Sequence, residues 1–315
     1  MTVVVGYDGR PEGRDALALG ASLARALGEP LLVVSVYLTG EAILGVTVAE
    51  LRQAAERTAA EGVVGLPENL HADPVAVPGN SAAHGLYELL EAEEPTAVVI
   101  GSSHRGAVGR VLAGNVALRL LTASGCPVAV APRGLADTDA ALRTIGVGFD
   151  DSAESWNALQ RAAAIGIAAG AALRVIHVVD PVVAPPLPVA ESELLTRELR
   201  AEHELALGRA AASVSKKLHA EPKMAIGDAV RMLEHEAADG LDLLVLGSRG
   251  YGPVRRVLLG SVSAELVRSA PCPVLVVPRA VKFDPSAGGM AAHDTVGSAT
   301  PAGDPERRPA ATPRS

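Results

Sequence analysis

The sequence predicts an α/β protein of two tandem doubly wound domains, each a five-stranded parallel sheet flanked by helices. Three observations carry that prediction. Short apolar, β-rich runs alternate with helix-period segments, the pattern of a parallel sheet covered on both faces with right-handed crossovers. A strand, glycine loop and helix, Leu243 to Ser263 (LLVLGSRGYGPVRRVLLGSVS), recurs 146 positions earlier as Ala97 to Ala117 (AVVIGSSHRGAVGRVLAGNVA). The flanks repeat as well: GCPVAVAPRG, Gly125 to Gly134, answers PCPVLVVPRA, Pro271 to Ala280, and VVVGYDG, Val3 to Gly9, answers IGVGFDD, Ile145 to Asp151. So long a period is no solenoid repeat; it is the duplication of a domain.

The elements follow in order. In the first half, strands are expected at Val3 to Tyr7, Leu31 to Tyr37, Pro74 to Val77, Ala97 to Ile100 and Pro127 to Ala131. Helices are expected at Pro11 to Leu27, Val48 to Val64, Ser81 to Ala92 and Asn115 to Ala123, from apolar spacing and from start signals such as Pro11. In the second half the strands fall at Thr144 to Phe149, Leu173 to Val179, Pro222 to Ala225, Leu241 to Leu246 and Pro273 to Val277. Its helices fall at Glu154 to Ala169, Glu191 to Leu218, Ala229 to Ala238 and Ser261 to Ser269. These elements delimit domains at 1–134 and 143–280, joined by a short polar linker. A proline-rich insertion, PVVAPPLP at Pro181 to Pro188, is expected as a stiff loop beside the second domain's second strand. The last segment, 281–315, is rich in Pro, Gly, Ala, Ser and Thr without apolar period, the composition of a disordered tail.

Composition narrows the class. A chain of 315 residues suits two domains, and its 49% apolar residues with only 2% aromatic call for cores of Val, Leu, Ile and Ala. A net charge of -8 and a pI near 5.5 argue against nucleic acid or an anionic membrane as the main partner. The longest uncharged apolar stretch, Ala162 to Leu173, is too short to span a bilayer. The start carries no secretory pattern, and the two cysteines form no disulfide or metal framework; the expectation is a soluble cytoplasmic protein.

The chemistry centres on the glycine loops. In the second repeat the pattern is G-x2-G-x9-G-S on Gly247, Gly250, Gly260 and Ser261. A loop of this kind before a helix lets a ligand approach the backbone and offers amides to an anion. Ligands of open parallel sheets bind beyond the carboxyl ends of the strands, which places Asp8 and Asp150, at the ends of the first strands, across a crevice from Gly101 and Gly247. Each Asp is open to two readings: acceptor for an amine or sugar hydroxyl, or cap of the following helix. A Walker P-loop is excluded, because Ala107 and Pro253 stand where its lysine is required. No dinucleotide fingerprint follows the first strand. His104 and Arg105 are open to two readings, phosphate contact or a charged loop facing water; His177 reads as a core histidine, and Cys126 and Cys272 as buried structural thiols.

Taken together, the first-strand Asp, the H-V-V-D end of the second strand at His177 to Asp180, the G-x2-G-x9-G-S loop and the closing C-P-V-L-V-V-P strongly resemble the universal stress protein family. The resemblance covers residues 2–133 and 143–279. It implies a sheet order of 3-2-1-4-5, a Rossmann-like fold of the adenine nucleotide alpha hydrolase kind, and in the ATP-binding branch an adenine nucleotide, with Mg²⁺ as its natural companion. The residues that would hold it are Asp150, Val178, Gly247, Gly250, Gly260, Ser261 and Val262 in the second repeat, and Asp8, Val36, Gly101, Gly114 and Val116 in the first. The first repeat departs at His104 and Asn115, where the second has Gly250 and Ser261. The family's last strands pair antiparallel between protomers; here the two repeats are expected to pair so within one chain, as a pseudo-dimer, with a homodimer of such units as a further step. The functional expectation is an ATP-binding sensor or regulator of stress with little or no turnover and an unspecified regulatory partner. The alternatives are a slow ATPase or phosphotransferase on the same fold, and a scaffold that binds no nucleotide.

Overall fold

The computed structural model describes residues 1–39, 46–179, 189–214, 218–248 and 259–278, with 189–199 as backbone only. The Pro181 to Pro188 insertion, the 281–315 segment and Gly250 lie outside the described residues. The first repeat contains β1 (Val3–Gly6), α1 (Pro11–Leu27), β2 (Leu31–Leu38), α2 (Val48–Val64), β3 (Ala72–Gly79), α3 (Ala82–Glu93), β4 (Ala97–Gly101), α4 (Asn115–Ala123) and β5 (Val128–Ala131). The second contains β6 (Thr144–Gly148), α5 (Ala153–Ala169), β7 (Ala172–Val179), α6 (Val189–Ser213), β8 (Ala220–Ile226), α7 (Ala229–Ala238), β9 (Leu243–Gly247), α8 (Ser261–Ser269) and β10 (Val274–Val277).

Each repeat has the expected order, but the two sheets are not separate. They join edge to edge into ten strands, β3-β2-β1-β4-β5-β10-β9-β6-β7-β8. Every pairing is parallel except the junction, where β5 and β10 run antiparallel with Val274 opposite Val130 and Val276 opposite Val128. All residues of both junction strands are buried, so neither strand is an exposed edge. The residues of β1 alternate between faces: Val3 and Val5 belong to the buried cluster that includes Leu19 and Leu23 of α1, while Val4 belongs to the one that includes Leu86 of α3 and Leu120 of α4. Among the described residues no helix is long and apolar enough to cross a membrane.

The clearest departures from the expected boundaries are in β3, β8 and α6. The outer strands β3 and β8 are longer than the Pro74 to Val77 and Pro222 to Ala225 runs, because each pairs on one side only. There a proline costs no ladder bond when its nitrogen faces away from the neighbour. Helix α6 ends at Ser213, short of Leu218. Leu218 belongs to the core without being helical: its side chain lies against Gly166 of α5.

The linker is built into the fold. A 3-10 turn at Leu135–Asp137 is pinned by Asp15, a buried carboxylate on α1 that accepts from the amides of Gly134 and Ala136, both at 2.9 Å. On the other side Asp242 Oδ2 accepts from the amides of Arg143 and Thr144 at 2.8 Å. The linker therefore has a single path over the sheet junction. Substituting Asp15→Ala leaves two amides without their charged acceptor, and urea unfolding should report a loss of about 2 to 4 kcal/mol.

The junction also separates the thiols. Antiparallel pairing places the entries to β5 and β10 at opposite ends, and Cys126 and Cys272 are both free and buried. Burial pushes both thiols up to about 12, so at neutral pH they are protonated and poor nucleophiles. Ellman's reagent should modify the native protein slowly and the urea-unfolded protein at once, at two thiols per chain. Fast reaction of either thiol under native conditions would contradict the packing.

Candidate functional site

The site of the second repeat forms where β6, β7 and β9 end. Because β6 lies between β7 and β9, their carboxyl ends converge, as the topological switch requires. A cavity of about 190 Å³ opens there, lined by Asp150, Val178, Gly247, Gly260, Ser261 and Val262. These are all the residues expected there except Gly250. Its floor is apolar, from Ile176, Leu233 and Leu246. In the first repeat, Asp8 follows β1, Val36 lies on β2, Gly101 ends β4, and Gly114 and Val116 begin α4; β1 lies between β2 and β4, so these residues gather at the corresponding edge.

Helices α4 and α8 carry the anion-binding character. Each begins at a glycine N-cap, Gly114 or Gly260, with no side-chain cap bond. A Ser, Asp or Asn cap normally supplies an acceptor to these first amides. With glycine instead, the first-turn amides of α8 border the cavity without such an acceptor, at the positive end of the helix dipole. Ser263 Oγ donates to Gly247 O at 2.9 Å, which ties the first turn of α8 to the end of β9. Sequence reading did not single out this serine; its counterpart in the first repeat is Ala117.

The glycines divide into two kinds. A Cβ on Gly247 would meet the Glu154 carbonyl oxygen at 2.6 Å, and one on Gly101 would overlap the Glu12 carbonyl. These two are glycines because the first turn of α1 or α5 crosses the strand end at backbone contact. Gly114 is different: its φ of -79° and ψ of -179° suit any residue, and a Cβ would meet only Ser103 Cβ at 3.7 Å. Neither conformation nor packing requires a glycine there. What it leaves is open backbone in front of the α4 amides.

The acidic residues do not cap their helices. In the second repeat the N-cap is Ser152, whose hydroxyl accepts from Ser155 N at 3.2 Å, and Asp150 braces it by accepting from Ser152 N at 3.2 Å and from the Ser152 hydroxyl. In the first the N-cap is Arg10, with no side-chain cap bond, and Asp8 accepts from Arg10 N at 3.1 Å. Both carboxylates lie two residues before the N-cap and hold the turn that leads into the helix. Next to Asp150 the chain needs a left-handed residue: Asp151 has φ 62°, where the first repeat has Gly9 at φ 76°. Asp151 is held there by the Trp156 indole N–H at 2.9 Å and by Arg209 at 3.6 Å.

His177 is a buried structural histidine. Its Nδ1 lies 2.8 Å from Phe149 O, directly before Asp150, and its ring lies 4.5 Å from that of His203 on α6. Burial lowers its pKa, which keeps the ring neutral at physiological pH. His104 and Arg105 are exposed in a turn closed by Gly106 N to Ser103 O at 2.9 Å.

The two kinds of glycine should separate by mutation in nucleotide-free protein. Gly247→Ala and Gly101→Ala are overpacked against backbone and should each cost roughly 1 to 3 kcal/mol. Gly114→Ala should unfold thermally like the wild type. An equal loss from all three would remove the distinction between packing and open glycines.

Comparison with known proteins gives the family and the fold. The sequence profile described as the universal stress protein family matches twice, at residues 1–132 and 141–278. A universal stress protein of Mycobacterium tuberculosis is 30% identical over 292 residues, covering 88% of this chain and all of that protein. A shorter one from Thermus aquaticus is 36% identical over 143 residues, covering 43% of this chain and 98% of its own. Among solved structures, a universal stress protein from Archaeoglobus fulgidus shares the fold at a TM-score of 0.66 and 21% identity, over 88% of this chain and 98% of that one. With two matched repeats in one chain and a 30% identical relative covered over its full length, the chain belongs to the universal stress protein family as a tandem, two-domain member.

Proposed function

We propose that this protein is a cytoplasmic, ATP-binding regulator of the stress response that holds nucleotide chiefly in its second repeat and turns it over little or not at all. One observation carries the reading: a single cavity gathers an exposed carboxylate, a strand-end valine and a helix N-terminus left open by a glycine cap. In this arrangement Asp150 accepts from the ribose or from an exocyclic amine, Val178 and the apolar floor flank the base, and the first-turn amides of α8 with the Ser261 hydroxyl receive phosphate oxygens. Mg²⁺ enters with the nucleotide as the counterion of its phosphates. Ala107 and Pro253 stand where a P-loop lysine would be required, which favours binding over hydrolysis. The first repeat keeps the carboxylate and the open helix, but presents His104 and Asn115 in place of Gly250 and Ser261. It is therefore the weaker site. Association of two such chains, and a regulatory protein partner, complete the reading.

Titration calorimetry with ATP and Mg²⁺ tests it directly. Two unequal sites are expected. Ser261→Ala should weaken the tighter one by roughly ten- to a hundredfold, the value of one hydrogen bond to a charged phosphate, and Gly250→Val should weaken it further. Two indistinguishable wild-type sites would show His104 and Asn115 to be adequate substitutes, and absence of binding would favour a scaffold. Nucleotide incubated with the protein should remain largely intact over hours. Several turnovers per minute, lost in Gly250→Val, would replace the regulator by an ATPase.

A further inference from the structure

Helix α8 has one end in each repeat's business. Its N-terminal turn borders the second-repeat cavity, while its C-terminal carbonyls are served by the first repeat's glycine loop, across the sheet junction. The last carbonyls of any helix lack partners within it. Here Val267 O accepts from Ala113 N at 2.7 Å, Ala270 O from Val111 N at 2.8 Å, and Ser269 O from Arg110 Nη1 at 2.7 Å. The same guanidinium lies 3.8 Å from Glu234 on α7, whose Ala229 and Leu233 also line the cavity. One arginine of the first repeat thus joins the two helices that wall the second-repeat site, and it places positive charge at the negative end of α8.

We propose that Arg110 is a positioning residue for nucleotide bound in the second repeat, and that the 110–113 segment couples the first repeat's loop to that site through α8. The inference rests on the nucleotide reading above. The helix has nine residues and is about 13 Å long, so it moves as a rigid piece. Its N-terminal turn is fixed by Ser263 to the end of β9, and its C-terminal end by a loop from the other repeat. Releasing that clasp lets α8 tilt about the Ser263 contact and misaligns its first amides with the anion. Linkage makes the effect reciprocal: an anion that aligns the N-terminal turn also tightens the clasp on Val111 and Ala113. The first-repeat loop leads directly into Gly114 and the α4 amides, so a ligand there acts on the same segment. Arg256, the counterpart of Arg110, lies outside the described residues.

The test uses the full chain and ATP with Mg²⁺. Affinity is read by calorimetry at the site that Ser261→Ala weakens, and amide hydrogen exchange is followed at Val111 and Ala113. Arg110→Ala should weaken that site roughly three- to tenfold, within the range of helix-end electrostatics and of typical coupling. Arg110→Lys should recover part of the loss, and Glu234→Gln should show a smaller loss in the same direction. In the wild type, ATP should slow exchange at Val111 and Ala113 by more than it slows the core amides of β1, and Arg110→Ala should remove that excess; general stabilisation by bound ligand would slow all of them alike. A folded Arg110→Ala protein with wild-type affinity, while the wild type binds ATP, overturns the proposal and leaves the nucleotide reading standing. If Arg110→Ala does not fold, unchanged affinity in Glu234→Gln together with unchanged exchange at Val111 and Ala113 overturns it equally. A wild type that binds no ATP overturns the nucleotide reading itself, and the two failures are told apart by the wild-type titration alone.

Discussion

The antiparallel hydrogen bonds between β5 and β10 are the constraint from which the rest of the structure follows. A four-residue apolar strand at the edge of a sheet leaves one row of backbone groups unpaired and four side chains in need of cover. Each repeat ends in such a strand, Val128–Ala131 and Val274–Val277, and each satisfies the other. The pairing places α1 beside α5 on one face and brings the first repeat's glycine loop against α8 on the other. It also brings the linker over the junction, where Asp15 and Asp242 take its amides. The outer edges are different in kind: β3 carries Pro74 and Pro78, and β8 carries Pro222 and Lys223, residues that discourage further strand addition.

The pseudo-symmetry that results is not exact, and its departures concern charge. Position 19 on α1 is Leu, while its counterpart on α5 is Arg161, a guanidinium whose pKa burial lowers against the opposing influence of Glu29. Glu29 accepts from Thr96 at 2.9 Å, but its Oε2 and the Nε of Arg161 are buried without hydrogen-bond partners. Leu19 lines a cavity of about 250 Å³ beside Cys272 and the linker. A buried charge at Arg161 and a leucine at its counterpart distinguish the repeats in the core, as Ser261 and Asn115 distinguish them at the site. The duplicated halves have specialised in core and crevice alike.

Much of this was legible in the sequence, because it depends on neighbours in the chain. Strand and helix identity follow from local periodicity, and several boundaries, such as Pro11–Leu27, Val48–Val64 and Asn115–Ala123, coincide with the residues that signal them. The duplication and the switch-point location of the site also follow from spacing and element order, while Val178 and Val262 were supplied by the family resemblance. Gly247, Gly260, Ser261 and Val262 sit on one strand–loop–helix unit, so placing that unit places them together.

Tertiary structure decided what depends on approach between distant segments. Gly101 and Gly114 look alike in sequence, yet only the crossing of α1 over β4 reveals that one is excluded from carrying a side chain and the other is free to. One sequence reading of Asp150 makes it the cap of the following helix, but the path of the turn gives that place to Ser152. Asp15 reads as one more polar residue on a helix until the linker, 119 residues away, places its amides on the carboxylate. Arg110 reads as part of a charged loop until β5 and β10 pair and bring Ser269, 159 residues away, into reach. In each case periodicity and motif spacing name the residue type, while the partner that gives it a role comes from packing across the sheet.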